Sequence, residues 1–207
     1  MGKKAVDVVL LPSEQMTDRA ISANKELIEK FGKKIILNRQ NCLPHISLAM
    51  GCIDDGDIPD ITRLLTAVAD RHPQGNLKVV GVGIETNSAG EKISAFGIQK
   101  TRKLQLLHEE IMNRLGPYMS GDVSADMLYP SGEITALTLL WIKHYREKAA
   151  FKHFLPHITI GYGEPDAVGL PAEFTASELA LCHLGNHCTC RKVLSSVRLR
   201  TDVRSPQ

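Results

Sequence analysis

The segment Leu43–Gly51, L-P-H-I-S-L-A-M-G, returns almost unchanged as L-P-H-I-T-I-G-Y-G at Leu155–Gly163. Side chains alternate across a β-strand, so one face of each copy carries His and Ser or Thr and the other carries the aliphatic residues. His45 and Ser47 share a face in the first copy, and His157 and Thr159 share one in the second. The aliphatic partners Ile46, Leu48, Ile158 and Ile160 can anchor in a core while the polar faces look into a groove. Strict alternation extends the groove face through Ala49 and Gly51, and through Gly161 and Gly163, which would leave room for a ligand. It also turns Tyr162 toward the core. Pro44 and Pro156 suit the first position of a strand, where the missing N–H costs nothing. One copy in each half of the chain suggests one site built from two halves.

Bulk properties narrow the setting. A chain of 207 residues, 43% hydrophobic and 23% charged, can bury a real core and is read as one bilobal domain over 1–207. A net charge of +2 argues against a protein that coats duplex DNA. No apolar run approaches the roughly 20 residues that cross a bilayer. Ala5–Leu11 is too short for a signal peptide and is interrupted by Asp7, while Val6 spoils a myristoylation motif after Gly2. The expected home is the cytoplasm, with no membrane and no obligate protein partner implied. Free thiols are then the default for the five cysteines. The cluster Cys182-His183…His187-Cys188…Cys190 has zinc-type ligands without a CxxC spacing, and Gly185-Asn186 reads as a hairpin tip. The expectation is therefore no metal and no cofactor.

Along the chain, Ala5–Leu11 reads as a strand, and Ser13 caps a helix with Ala20, Ile21, Asn24, Leu27, Ile28 and Phe31 on one stripe, stopped by Gly32. A short strand at Ile35–Leu37 leads into the first motif. A second helix runs from Asp57 to His72. Strands at Leu77–Glu85 and Lys92–Gln99 are joined by a short loop containing Gly90. Thr101 caps a helix carrying Leu104, Leu107, Ile111 and Leu115. Ser131 precedes a further helix with Ile134, Leu137, Trp141 and Tyr145 buried. The second motif strand and two strands at Ser177–Leu184 and Thr189–Leu199 complete the pattern. Several connections are too short for parallel crossovers, which favours an α+β fold with antiparallel sheets.

Two His-Φ-Ser/Thr-Φ motifs in a chain of this size resemble the 2H phosphoesterase superfamily. Within it the pattern is similar to the bacterial RNA 2′,3′-cyclic phosphodiesterases, also described as 2′-5′ RNA ligases. The matching residues are His45-Ile46-Ser47-Leu48 and His157-Ile158-Thr159-Ile160. The resemblance implies a bilobal α+β fold, with two antiparallel sheets flanked by helices, pseudo-two-fold symmetry and a central cleft. It departs from compact members in a longer spacing between motifs, consistent with an insertion within Tyr118–Gly132. Many RNA-acting members also carry a basic residue after the second motif, where this chain has Gly161-Tyr162-Gly163.

The chemistry that the resemblance implies needs no metal. Two histidines on opposite sides of a phosphate act as general base and general acid. It assigns His157 as base and His45 as acid in opening a 2′,3′-cyclic phosphate, with the roles exchanged in 2′-5′ ligation. Ser47 and Thr159 bind the substrate, donating to the non-bridging oxygens. The implied substrates are RNA 2′,3′-cyclic phosphate ends or small cyclic nucleotides. The competing reading is a nucleotide or RNA-end binding module without turnover; Arg or Lys would serve that purpose better. Arg39 and Gln40, and the run Lys143, Arg146, Lys148 and Lys152, read as solvated charge, and His72, His108, His144 and His153 as structural or surface residues.

Overall fold

A computed structural model describes residues 2–130, 132–166 and 172–200. Ser131, offered above as the residue before a helix, lies outside the described residues. Seven strands and four α-helices are described: β1 (Lys3–Pro12), α1 (Glu14–Phe31), β2 (Ile46–Asp54), α2 (Ile58–Ala69), β3 (Gly75–Thr86), β4 (Lys92–Ile98), α3 (Arg102–Leu115), α4 (Ala136–Lys148), β5 (His157–Tyr162), β6 (Ala172–Leu184) and β7 (Cys190–Arg198). Every strand pairing is antiparallel. The fold is α+β, as the interleaved helices and short connections predict. Among the described residues no helix is long and apolar enough to cross a membrane.

The two expected sheets are two wings of one hydrogen-bonded sheet. Strand order is β2-β1-β6-β3-β4-β5, with β7 also on β6. β6 belongs to both wings: Ala172–Ala176 pair with β3, while the following residues pair with β1 and β7. The two motif strands, β2 and β5, are the terminal strands of that order, yet they touch each other. The sheet therefore wraps round, and the two histidine copies meet where its ends approach.

Helix packing is reciprocal. α1 precedes β2 in the chain but packs on β5, whereas α3 and α4 precede β5 but pack on β2. Apolar patterning explains the α1 contact, since its stripe of Met16, Ala20, Ala23, Asn24 and Leu27 is buried. In α4 the buried residues are Thr138, Ile142 and Tyr145, and Trp141 is 42% exposed. The buried stripe is thus rotated from the one expected through Trp141. Thr135 caps this helix by accepting from Thr138 N, and the Thr138 hydroxyl donates to Asn186 Oδ1 at 2.8 Å, which holds the Thr138 face inward. Ile35–Leu37 is not a strand; Asn38 and Cys42 form an isolated bridge there instead. Ile46, Leu48, Ile158 and Ile160 are fully buried, each contributing about 1.5–3 kcal/mol through burial.

Candidate active site

Both motif strands break their alternation at the same place. β1 residues Val8 and Val9 oppose Ala49 and Ser47, so Leu48 is an extra residue in β2. In β5, Ser94 and Ala95 of β4 oppose Gly161 and Thr159, leaving Ile160 as the extra residue. Each bulge falls three positions after the histidine. A bulged residue loses its place in the ladder and the strand bends there. Everything beyond it changes face.

The expected groove lining is corrected accordingly. Gly161 has φ +137°, and a Cβ there would lie 2.8 Å from Asn24 Nδ2 on α1. Gly163 has φ +106°, and a Cβ there would overlap the Phe31 ring. These glycines face α1 rather than the groove, and they permit its close approach. Ala49 pairs with core residue Val8, and a Cβ on Gly51 would meet Ser120 O at 3.0 Å. Tyr162 is buried in the hydrophobic core, as expected, although the bulge sets it opposite Ile93 on β4. Its hydroxyl shares a 3.0 Å hydrogen bond with His187 Nδ1, and Lys34 Nζ stands 5.0 Å from its ring centroid.

A buried polar side chain holds the carbonyl of each bulge. His108 of α3 donates from Nδ1 to Leu48 O at 2.8 Å, and its Nε2 accepts from Phe151 N at 2.7 Å. Asn24 of α1 donates to Ile160 O at 2.8 Å and to Ile35 O at 3.0 Å, while its Oδ1 accepts from Leu37 N at 2.8 Å. Both side chains are buried, and these bonds satisfy groups that the broken ladder leaves over.

The two histidines have the same local geometry. His45 Nδ1 donates to Leu43 O at 2.7 Å, and His157 Nδ1 donates to Leu155 O at 2.8 Å. A carbonyl can only accept, so the neutral tautomer carries its proton on Nδ1 and leaves Nε2 free. His45 is only 13% exposed, whereas His157 is exposed. Burial pushes the His45 ring down to about 4, with a further lowering from the nearby charge of His157. The β2–β5 contact sets the two motif strands beside each other.

The hydroxyl residues are not equivalent. Thr159 is half-buried and has no hydrogen-bond partner among the described residues. Ser47 Oγ lies 2.6 Å from Asp7 Oδ2. Asp7, on β1, is fully buried, its Oδ1 has no partner, and its Oδ2 is 3.8 Å from His45 Nε2. Burial pushes its carboxyl up to about 8 despite the Ser47 bond. Sequence reasoning treats Asp7 only as an interruption of an apolar strand; a lone acid at an otherwise aliphatic strand position is the available signal. Arg39 pairs with Asp18 at 2.6 Å on the surface. The Gly185-Asn186 segment is a hairpin turn, as expected, but Cys182 and Cys190 form a disulfide across it instead of remaining free.

Stability should have a pH optimum set by these groups. Folded Asp7 keeps its proton after an unfolded aspartate has lost it, so its contribution is complete at low pH and is lost as pH rises toward about 8. His45 and His108, both lowered by burial to about 4, contribute stability that is present above 6.5 and lost as pH falls. The histidines outnumber Asp7 below pH 6.5, and Asp7 acts alone among these three from there to about 8. Denaturation should give a maximum near pH 6.5, falling by about 1.4 kcal/mol per pH unit on the alkaline side. A flat profile from 6.5 to 8 would mean that Asp7 is already ionised.

A family profile described as the 2′-5′ RNA ligase superfamily matches residues 26–187. No curated protein matches the sequence. Among solved structures, TT0787 of Thermus thermophilus is 16% identical at a TM-score of 0.60, covering 96% of this chain and 99% of that one. Escherichia coli LigT in apo form is 15% identical at 0.54, with 97% and 100% covered. LigT has a similar structure in complex with phosphate, at 14% identity and a TM-score of 0.53, covering 97% of this chain and 100% of that one. At these identities the structural likeness carries the fold alone.

Proposed function

Because the chain belongs to the 2′-5′ RNA ligase superfamily, we propose that it is a metal-independent phosphodiesterase that opens 2′,3′-cyclic phosphates to 2′-phosphates. The substrates are RNA ends or small cyclic nucleotides, and 2′-5′ ligation is the same ring opening with an RNA 5′-hydroxyl in place of water. The observation that carries this reading is the paired Nδ1–carbonyl clasp, which leaves both Nε2 atoms free at the head of two strands that touch each other. Such nitrogens can each accept or deliver a proton without rearranging the ring. The phosphate complex of E. coli LigT supports a phosphate-bearing ligand for this fold.

His157 Nε2, the more exposed nitrogen, takes the proton from the attacking water. His45 delivers a proton to the departing ribose 3′-oxygen. Burial keeps its free ring neutral, but an arriving phosphate charge favours the imidazolium and charges it as substrate binds. Thr159 Oγ1 and Ser47 Oγ donate to the non-bridging oxygens, where negative charge builds in the transition state.

Incubation of a 2′,3′-cyclic nucleotide panel with excess EDTA tests the reading. The expected products are 2′-phosphates, at rates unchanged by the chelator. Loss of all turnover in EDTA would overturn the metal-independent mechanism. Binding of nucleotide without turnover under any condition would leave the binding-module reading instead.

A further inference from the structure

The two hydroxyl residues of the repeat face different surroundings, and only Ser47 has an acid behind it. Its Oγ is 2.6 Å from Asp7 Oδ2, on a carboxyl with no solvent exposure and a second oxygen that has no partner. A hydroxyl has one proton. If the carboxyl is ionised it must accept, and the Ser47 proton is then committed away from any ligand. If the carboxyl is protonated it can donate to Ser47 Oγ, and the Ser47 proton is free to turn toward the groove. The oxygen–oxygen distance is the same in both states.

Resting on the reading of this groove as a phosphate site, we propose that Asp7 is a positioning residue that works as a protonated acid, donating to Ser47 Oγ and aiming the Ser47 hydroxyl at the bound anion. Loss of its proton reverses the hydrogen bond and places a buried negative charge behind the anion site. The Ser47 hydroxyl and the backbone N–H groups of Ala49 and Leu48 favour that charge, but burial outweighs them. The titratable groups facing it are His45 from the lead-in to β2, Tyr145 from α4 and Cys188 from the β6–β7 turn. Cys182, its cross-strand partner on β6, is tied up in the disulfide. Burial holds Tyr145 and Cys188 neutral, since both are raised above their ordinary ranges. Burial likewise raises the Asp7 carboxyl to about 8, in keeping with the geometry. The device distinguishes the halves of the repeat: Thr159 offers its hydroxyl at any pH, and Ser47 offers its own only while Asp7 holds a proton.

Sulfate is the probe, because it stays a tetrahedral dianion across the range of interest. Its binding is followed through the backbone amide shifts of β2 and β5 in the wild type, Asp7→Asn and Ser47→Ala proteins. Wild-type affinity should fall by up to about tenfold per pH unit above about 8, beyond any loss the variants share. In Asp7→Asn the amide Nδ2 donates to Ser47 permanently, and that extra fall should vanish. In Ser47→Ala the fall should shrink, since the relay to the anion is gone. Parallel curves for wild type and Asp7→Asn would overturn the proposal. A full wild-type fall in Ser47→Ala would also overturn it, by showing that Asp7 acts without Ser47. Should Asp7→Asn misfold, the ¹³C shift of the Asp7 carboxyl in the wild type decides instead: a proton retained at pH 7 supports the proposal and an ionised carboxylate there overturns it. Sulfate binding is scored apart from turnover, so an inactive EDTA panel would defeat the phosphodiesterase reading while leaving these comparisons to decide the role of Asp7.

Discussion

Replacing either motif histidine with alanine is expected to lower kcat on a 2′,3′-cyclic nucleotide by about 10²–10⁴, the span of a single positioned acid or base. The two losses should not add, because base and acid act in one displacement and removing either stalls it. Stability should separate the variants where activity does not. His157 is exposed, so His157→Ala should melt close to wild type. His45 is 13% exposed and donates to Leu43 O, so His45→Ala should cost on the order of 1 kcal/mol for the lost hydrogen bond. The measurement is steady-state kinetics beside denaturant unfolding of the same preparations. A wild-type rate from either variant would end the two-histidine mechanism.

His108→Ala is expected to have the largest effect on folding. The ring is fully buried, bonded to Leu48 O and Phe151 N, and stacked on Phe154 with 4.0 Å between centroids. Removing it leaves two buried backbone groups without partners, at about 1–3 kcal/mol each, and opens a cavity beside Phe154. A loss of about 3–5 kcal/mol follows. The rate should fall as well, although the residue is assigned no contact with substrate. His108 joins the bulge of the first motif to the segment that leads into the second, so its loss frees each histidine strand to shift. Urea unfolding of His108→Ala measures this; a cost below about 1 kcal/mol would mean that the carbonyl of Leu48 finds another donor.

Much of this architecture can be read from residue patterns. The β-branched runs, the Thr101 cap and the paired L-P-H-I-[ST] segments give most of the strands and the helices. The resemblance carried by two tetrapeptides names the superfamily that the profile match over residues 26–187 identifies. Strict alternation misplaces the positions after each tetrapeptide because it counts residues, and a bulge adds one without any mark in composition. Leu48 and Ile160 look like ordinary strand residues. Asn24 and His108, whose polarity on buried helix faces is the only clue, matter because of carbonyls that the bulges release. Asp7 meets Ser47 and His45 because β1 pairs with β2, and Cys182 meets Cys190 because β6 pairs with β7; neither contact can be inferred from one strand alone.

The reciprocal helix packing has a consequence for dissection of the protein. Cutting the chain between β4 and α3 would leave the first fragment with α1, the support for a strand it lacks, and without the helices that back its own β2. The second fragment would be incomplete in the complementary way. Neither piece is a miniature of the whole, so the halves should regain order only when mixed, as strangers exchanging missing parts. The twofold pattern in the sequence thus describes a partnership and not two tenants.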